Sequence, residues 1–156
     1  MAPHVEILST DDKPALLGLS TPEFIATCET TLKDLGYKVH VAANQDDFQS
    51  RFRQIQYHLI ILEELFDCAT VDENKSLRGI QWMPMPQRRH VAFVLIGDGF
   101  ETMHALQAYN QSVHAVINSQ ELMGTLAQII PKLMSDNNAF LEMYRDTQSR
   151  SAQGKA

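Results

Sequence analysis

Tyr57-His58-Leu59-Ile60-Ile61-Leu62-Glu63-Glu64-Leu65-Phe66-Asp67 is the stretch that decides the fold. Four consecutive large aliphatic residues, Leu59 to Leu62, run straight into two carboxylates, Glu63 and Glu64. An uninterrupted apolar run this short predicts a strand buried on both faces, as a parallel sheet covered by helices requires. The acidic pair then falls at the strand's carboxyl end, the edge where open α/β sheets place ligands and chemistry.

Working outward, Val91-Ala92-Phe93-Val94-Leu95-Ile96 is a second such run, closed by Gly97-Asp98-Gly99. Between the two, residues 66–75 form a polar, acidic loop. Residues 76–83 give at most a short helix, broken by Pro84 and Pro86. Toward the N-terminus, Lys38–Ala43 is a strand, Asn44 a helix cap, and Phe48, Phe52 and Ile55 the buried stripe of the helix that follows. Pro14–Ser20 is the first core strand, its Gly18 disfavouring helix. Ser20-Thr21-Pro22-Glu23 then has the spacing of a capping box with proline in the first turn. Phe24, Cys28, Leu32 and Leu35 recur on one face before Gly36 ends that helix. Toward the C-terminus come a helix with Met103, Leu106 and Tyr109 and a last strand, Ala115-Val116-Ile117. A helix capped by Ser119 follows, carrying Leu122, Leu126, Ile129, Ile130 and Leu133 inward. Pro131 is expected to kink or break it, and Asp136 to cap a further piece bearing Phe140, Met143 and Tyr144.

Strand–helix alternation repeated five times with short connections predicts a doubly wound, five-stranded parallel sheet with helices on both faces. The predicted organisation is a leader or extra strand over 1–13, one domain over 14–146 and a small, polar, disordered tail over 147–156. The 156 residues suffice for one domain with a real core. Hydrophobic residues make up 44% and charged residues 21%, a globular composition. A formal net charge of −6 argues against nucleic acid or an anionic membrane as the main partner. No apolar run is long enough to span a membrane, and Cys28 and Cys68 match no metal spacing, so a reduced cytoplasm is the expected compartment.

This pattern over roughly residues 13–135 resembles the receiver domain of bacterial response regulators, the CheY-like family. Leu35-Gly36-Tyr37-Lys38-Val39 after the first helix and His58-Leu59-Ile60-Ile61-Leu62-Glu63 as the third strand carry the likeness. The resemblance implies a sheet of strand order 2-1-3-4-5. It also implies acids after the first strand to hold a divalent metal, and an aspartate ending the third strand as phosphoryl acceptor. A Thr or Ser ending the fourth strand and a Lys ending the fifth would contact the phosphoryl group. Here those places hold Ser20-Thr21, Glu63, Gly97 and Asn118-Ser119, so every one departs from the pattern. In an alternative register, Val5–Thr10 is the first strand and Asp11-Asp12 supply the acids, but the hydroxyl and lysine are still missing.

The plain reading of each candidate is the stronger one. Glu63 and Glu64 could bind a metal, act as acid and base, or imitate a phosphorylated aspartate. Strand alternation points them in opposite directions, which favours solvated carboxylates. Asp67 is an alternative acceptor that lies beyond the strand. Gly97-Asp98-Gly99 lacks phosphate-loop spacing and reads as a tight turn. The six histidines fall at no metal-binding helical spacing. Capping accounts for Ser20-Thr21, and the thiols have no activating partner. Arg78, Arg88 and Arg89 are the one basic concentration, in a chain of the wrong overall charge for nucleic acid.

The expectation is therefore a degenerate receiver, not an enzyme, without metal or cofactor. It is expected to act through phosphorylation-independent protein–protein interaction. The candidate face is Met103, Leu106 and Tyr109, and a homodimer through the fourth and fifth helices is one form it could take. The alternative is a sensor of a small ligand or nucleotide in the carboxyl-edge crevice near Ser20, Glu63, Gly97 and Asn118.

Overall fold

The computed structural model describes residues 12–88 and 90–153. Five parallel strands, β1 (Pro14–Gly18), β2 (Lys38–Val41), β3 (Leu59–Glu63), β4 (Ala92–Gly97) and β5 (Ala115–Asn118), form one sheet in the order β2-β1-β3-β4-β5. The register sets Leu16 beside Ile60, Ile61 beside Val94, and Gly97 beside Asn118. All residues of β1 and β4, and Leu59–Leu62 of β3, are buried, because helices cover both faces.

Alternation divides each strand between two cores. Ala15, Leu17, Leu59, Ile61, Val94, Ile96 and Ile117 face α1 (Pro22–Asp34) and α6 (Leu122–Gln153). Those helices return Cys28, Leu32, Leu126, Ile130 and Leu133. Leu16, Ile60, Leu62, Phe93, Leu95 and Val116 face α2 (Gln45–Gln54), α3 (Lys75–Gln81) and α5 (Ala105–Gln111). These shorter helices contribute Phe48, Leu77, Ile80 and Ala108.

The local signals explain most boundaries. Asn44 caps α2 by accepting from Asp47 N at 2.8 Å. Gly36, at φ +90°, ends α1. Gly36 N donates to Lys33 O at 3.0 Å and Tyr37 N to Leu32 O at 2.9 Å, the paired bonds of a Schellman cap.

Four expectations change. The 66–75 loop contains a 3₁₀ turn, Val71–Glu73, and Pro84 and Pro86 flank the start of a one-turn helix, α4 (Met85–Arg88). Proline's fixed φ suits a first turn, so the pair starts a helix as well as ending one. Helix α6 continues through Pro131, whose missing N–H removes only one rung of a long, docked ladder, and Asp136 lies inside it. Residues 147–153, expected as a disordered tail, extend the same helix. Propagating an existing helix requires no new nucleus, and Gln, Arg and Ala favour it. The expected leader or strand within residues 1–11, including the Val5–Thr10 register, lies outside the described residues. The Lys38 ammonium lies 3.9 Å from Asp12, which places Asp12 at the amino end of β1, opposite the crevice.

Candidate functional site

The carboxyl edge of the sheet brings together four elements: the β1–α1 junction, the end of β3, the β4–α5 loop that begins at Asp98, and the end of β5. Glu63 ends β3 and turns toward β1. Its Oε1 accepts from the backbone N–H groups of Ser20 and Thr21, both at 3.2 Å, and its Oε2 accepts from Thr21 Oγ1 at 3.0 Å. The expected solvated carboxylate is instead a half-buried strut between the third strand and the first loop. Charge-assisted bonds from backbone and hydroxyl donors replace its water.

The expected capping role of Ser20 and Thr21 is corrected for the same reason. Thr21 occupies the N-cap position of α1 without a side-chain cap bond. Ser20 Oγ accepts from Asp67 N at 2.8 Å and donates to Leu65 O at 3.4 Å. Both hydroxyls bond the β3 end, more than forty residues away in sequence, and not the start of α1. Asp67, in the left-handed region at φ +51°, uses its carboxylate to accept from Gln45 N at 3.1 Å at the start of α2.

Glu64 turns the other way. Its backbone N–H donates to Ile96 O, and its side chain lies against Gly97. A Cβ at Gly97 would fall 1.9 Å from Glu64 Oε1, so glycine at the end of β4 makes the room that Glu64 occupies. Burial, and secondarily the charge of Asp98, holds the Glu64 carboxyl above its usual range. The two glutamates therefore diverge, as strand alternation predicts.

At β5, Asn118 is engaged on every polar atom. Its N–H donates to Thr102 Oγ1 at 3.0 Å, and Nδ2 to Phe100 O at 2.8 Å and Asp98 O at 3.3 Å. Its Oδ1 accepts from Gln120 N at 2.9 Å.

Sequence reasoning missed two residues. Asn74 is 1% exposed. Its Oδ1 accepts from Leu77 N, capping α3, and its Nδ2 donates to the carbonyls of Glu63 and Glu64 at 3.1 and 3.0 Å. The cap was legible from an asparagine followed by a helical stripe; the bonds to β3 were not. Gln45 donates through Nε2 to Asp67 O and Glu73 O and accepts from Lys75 N at 2.7 Å, pinning α2 to the start of α3.

Cys28 is buried on α1, and burial, with a contribution from Glu63, pushes its thiol up to about 12, which removes it as a nucleophile. Among the described residues, no group of three His, Cys, Asp or Glu side chains could hold a metal. The donor set at the crevice does not suit a hard divalent cation, which needs several oxygens converging on one point. Glu63 and Glu64 diverge, and the β1–α1 junction offers hydroxyls already engaged. On the α5 side, Met103 is 39% exposed, Leu106 61% and Tyr109 81%. No described helix is long and apolar enough to cross a membrane.

No protein-family model and no curated protein matches the sequence. Solved structures do match in shape. A chemotaxis response regulator of Vibrio cholerae superposes with a TM-score of 0.62 at 13% identity, covering 78% of this chain and 98% of its own. A response regulator from Thermotoga maritima gives 0.61 at 12% identity, covering 80% and 98%. An orphan response regulator of H. pylori gives 0.57 at 14% identity, covering 78% and 96%. The fold is that of a CheY-like receiver domain.

Proposed function

We propose that this chain is a receiver-like signalling module that performs no phosphoryl chemistry and acts through protein–protein contact independent of phosphorylation. One observation carries the reading. Glu63, at the place where the resemblance puts the acceptor, is held by three hydrogen bonds from Ser20 and Thr21. A carboxylate whose lone pairs are directed at protein donors is a poor nucleophile. Around it, Gly97 brings no hydroxyl, Asn118 brings no ammonium, and both positions have structural work.

A module without chemistry keeps its surfaces as its means of action. The candidate face is Met103, Leu106 and Tyr109 on and before α5, where large apolar side chains stand in solvent. A second copy joined through α5 and α6, the helices after the fourth and fifth strands, is one partner this face would accept. The alternative, a ligand in the carboxyl-edge crevice, has less support because Ser20, Glu63 and Asn118 are already bonded within the protein.

The test is intact-mass spectrometry after incubation with acetyl phosphate and magnesium. No phosphoryl adduct is expected, and an adduct mapped to Glu63 or Asp67 would overturn the reading. Sedimentation velocity in the high micromolar range separates the homodimer from a different protein partner. A monomer there removes the homodimer.

A further inference from the structure

A cavity of about 250 Å³ opens between α2 and α3. Phe48, Phe52 and Ile80 give it an apolar floor, and Arg53 and Lys75 stand on its rim. Ser76 also lines it. This residue is 3% exposed, and its Oγ has no hydrogen-bond partner. Arg53 and Lys75 form no ion pair among the described residues, although the chain carries a net charge of −6. Two unneutralised cations over an apolar floor, in an acidic protein, are complementary to one kind of guest. The Gln45 bonds that tie α2 to Lys75 fix one end of the walls, so the space is bounded by paired elements rather than by a loop.

We propose that this cavity is a binding site for a small organic anion, with an apolar body against Phe48, Phe52 and Ile80 and an anionic head at Arg53 and Lys75. The volume falls just below the range of roughly 300–1,000 Å³ usual for ligand pockets, so the guest is small, about the size of a six-carbon carboxylate. This site is separate from the carboxyl-edge crevice and stands whether or not the interaction reading holds.

The experiment is a titration of ¹⁵N-labelled protein with hexanoate, with hexanol and acetate as controls for body and charge. Saturable shifts at the amides of Ser76 and Gly79 are expected with hexanoate. Hexanol and acetate are each expected to bind at least about tenfold more weakly, because each lacks one half of the complementarity. The double variant Arg53→Gln, Lys75→Gln is expected to lose about tenfold in hexanoate affinity. Gly79 lines the cavity with nothing within 4 Å of where its Cβ would stand, so Gly79→Leu plugs it. Leucine also favours the helix, and this variant is expected to keep or raise the melting temperature while losing the hexanoate shifts. Equal binding of hexanol and hexanoate, hexanoate binding that survives Gly79→Leu, or no saturable shift would each mean an apolar gap only and overturn the proposal.

Discussion

The two faces of the sheet are built from alternate residues of the same strands but are closed differently. On one face, α1 and α6, of 13 and 32 residues, present continuous apolar stripes to Leu17, Ile61 and Ile117. On the other, α2, α3 and α5 have 10, 7 and 7 residues and close an aromatic core, to which α2 gives Phe48, β4 gives Phe93 and the loop after β3 gives Phe66. Short helices cannot tile such large, flat rings without remainder. What remains is the cavity beside Phe52, the exposed ring of Trp82 and the exposed Leu106 and Tyr109. The long-helix face is the sealed one over the middle of the sheet, although a cavity of about 520 Å³ opens at its amino edge beside Leu35, Tyr37, Ile130 and Pro131. The short-helix face is the loose one at its centre.

The largest effect should come from breaking that asymmetry directly. Ile61→Ala removes a fully buried side chain on the sealed face and is expected to cost about 2–5 kcal/mol. Phe52→Ala deletes more atoms but sits half-buried beside space that already exists, and is expected to cost clearly less. Urea titrations with unchanged slope make the comparison. A larger loss for Phe52→Ala would show that the loose face carries the stability.

Two glycines sharpen the contrast within the loose face. A Cβ at Gly18 would meet Leu62 Cδ1 at 2.6 Å and the Phe48 ring at 3.0 Å, atoms locked in the core. Gly18→Ala is expected to cost about 1–3 kcal/mol. At Gly97 the obstacle is the Glu64 carboxyl, which can swing into water, so Gly97→Ala is expected to cost less, under about 1 kcal/mol. A carboxyl whose folded pKa is raised stabilises the fold below its unfolded pKa and loses that contribution as pH rises. Since Gly97→Ala releases Glu64, its cost should be greater at about pH 4 than at about pH 7, by chemical denaturation at both.

These contrasts also mark what the sequence could and could not tell. Leu59–Leu62 and Val91–Ile96 were legible because burial on both faces writes an unbroken apolar run, and the caps at Asn44 and Gly36 because they are local. The Glu63 strut was not, since its donors at Ser20 and Thr21 are 43 and 42 residues away and the same residues spell a plausible cap. The pairing of Gly97 with Glu64 crosses two strands and leaves no periodic trace. The full length of α6 is not legible, because small polar residues read as a tail unless a docked helix precedes them.

The edge of the loose face depends on a ring rather than a helix. His114 stacks on Phe93 at 5.9 Å, and its Nδ1 accepts from Phe93 N at 3.0 Å, which requires neutral imidazole. Burial, with the charge of Arg88 second, pushes its pKa down to about 4, although the residue as a whole is exposed. A depressed histidine contributes stability above its unfolded pKa near 6.5 and loses it as pH falls toward 4. The protein should weaken over that window by less than the ceiling of about 1.4 kcal/mol per pH unit set by one proton. In His114→Gln that share of the slope should vanish. Identical slopes in the two proteins would mean the ring titrates freely.

The smallest effects test whether the loose face is loose for a reason. Met103 sits at φ +64°, a left-handed conformation that a long side chain adopts at a cost, while its N–H donates to Val116 O. Glycine carries no such cost, so Met103→Gly is expected to stabilise the fold by up to about 1 kcal/mol. Tyr109→Ser, at a site 81% exposed, is expected to stay within about 0.5 kcal/mol of the parent. If Met103 and Tyr109 belong to a partner surface, both variants should weaken association while the melting temperature rises or holds, a separation that a packing role cannot produce. Sedimentation and thermal unfolding of the same samples read the two effects together. Unaltered association in both variants would move the interface off α5 and leave the strain at Met103 without a functional account.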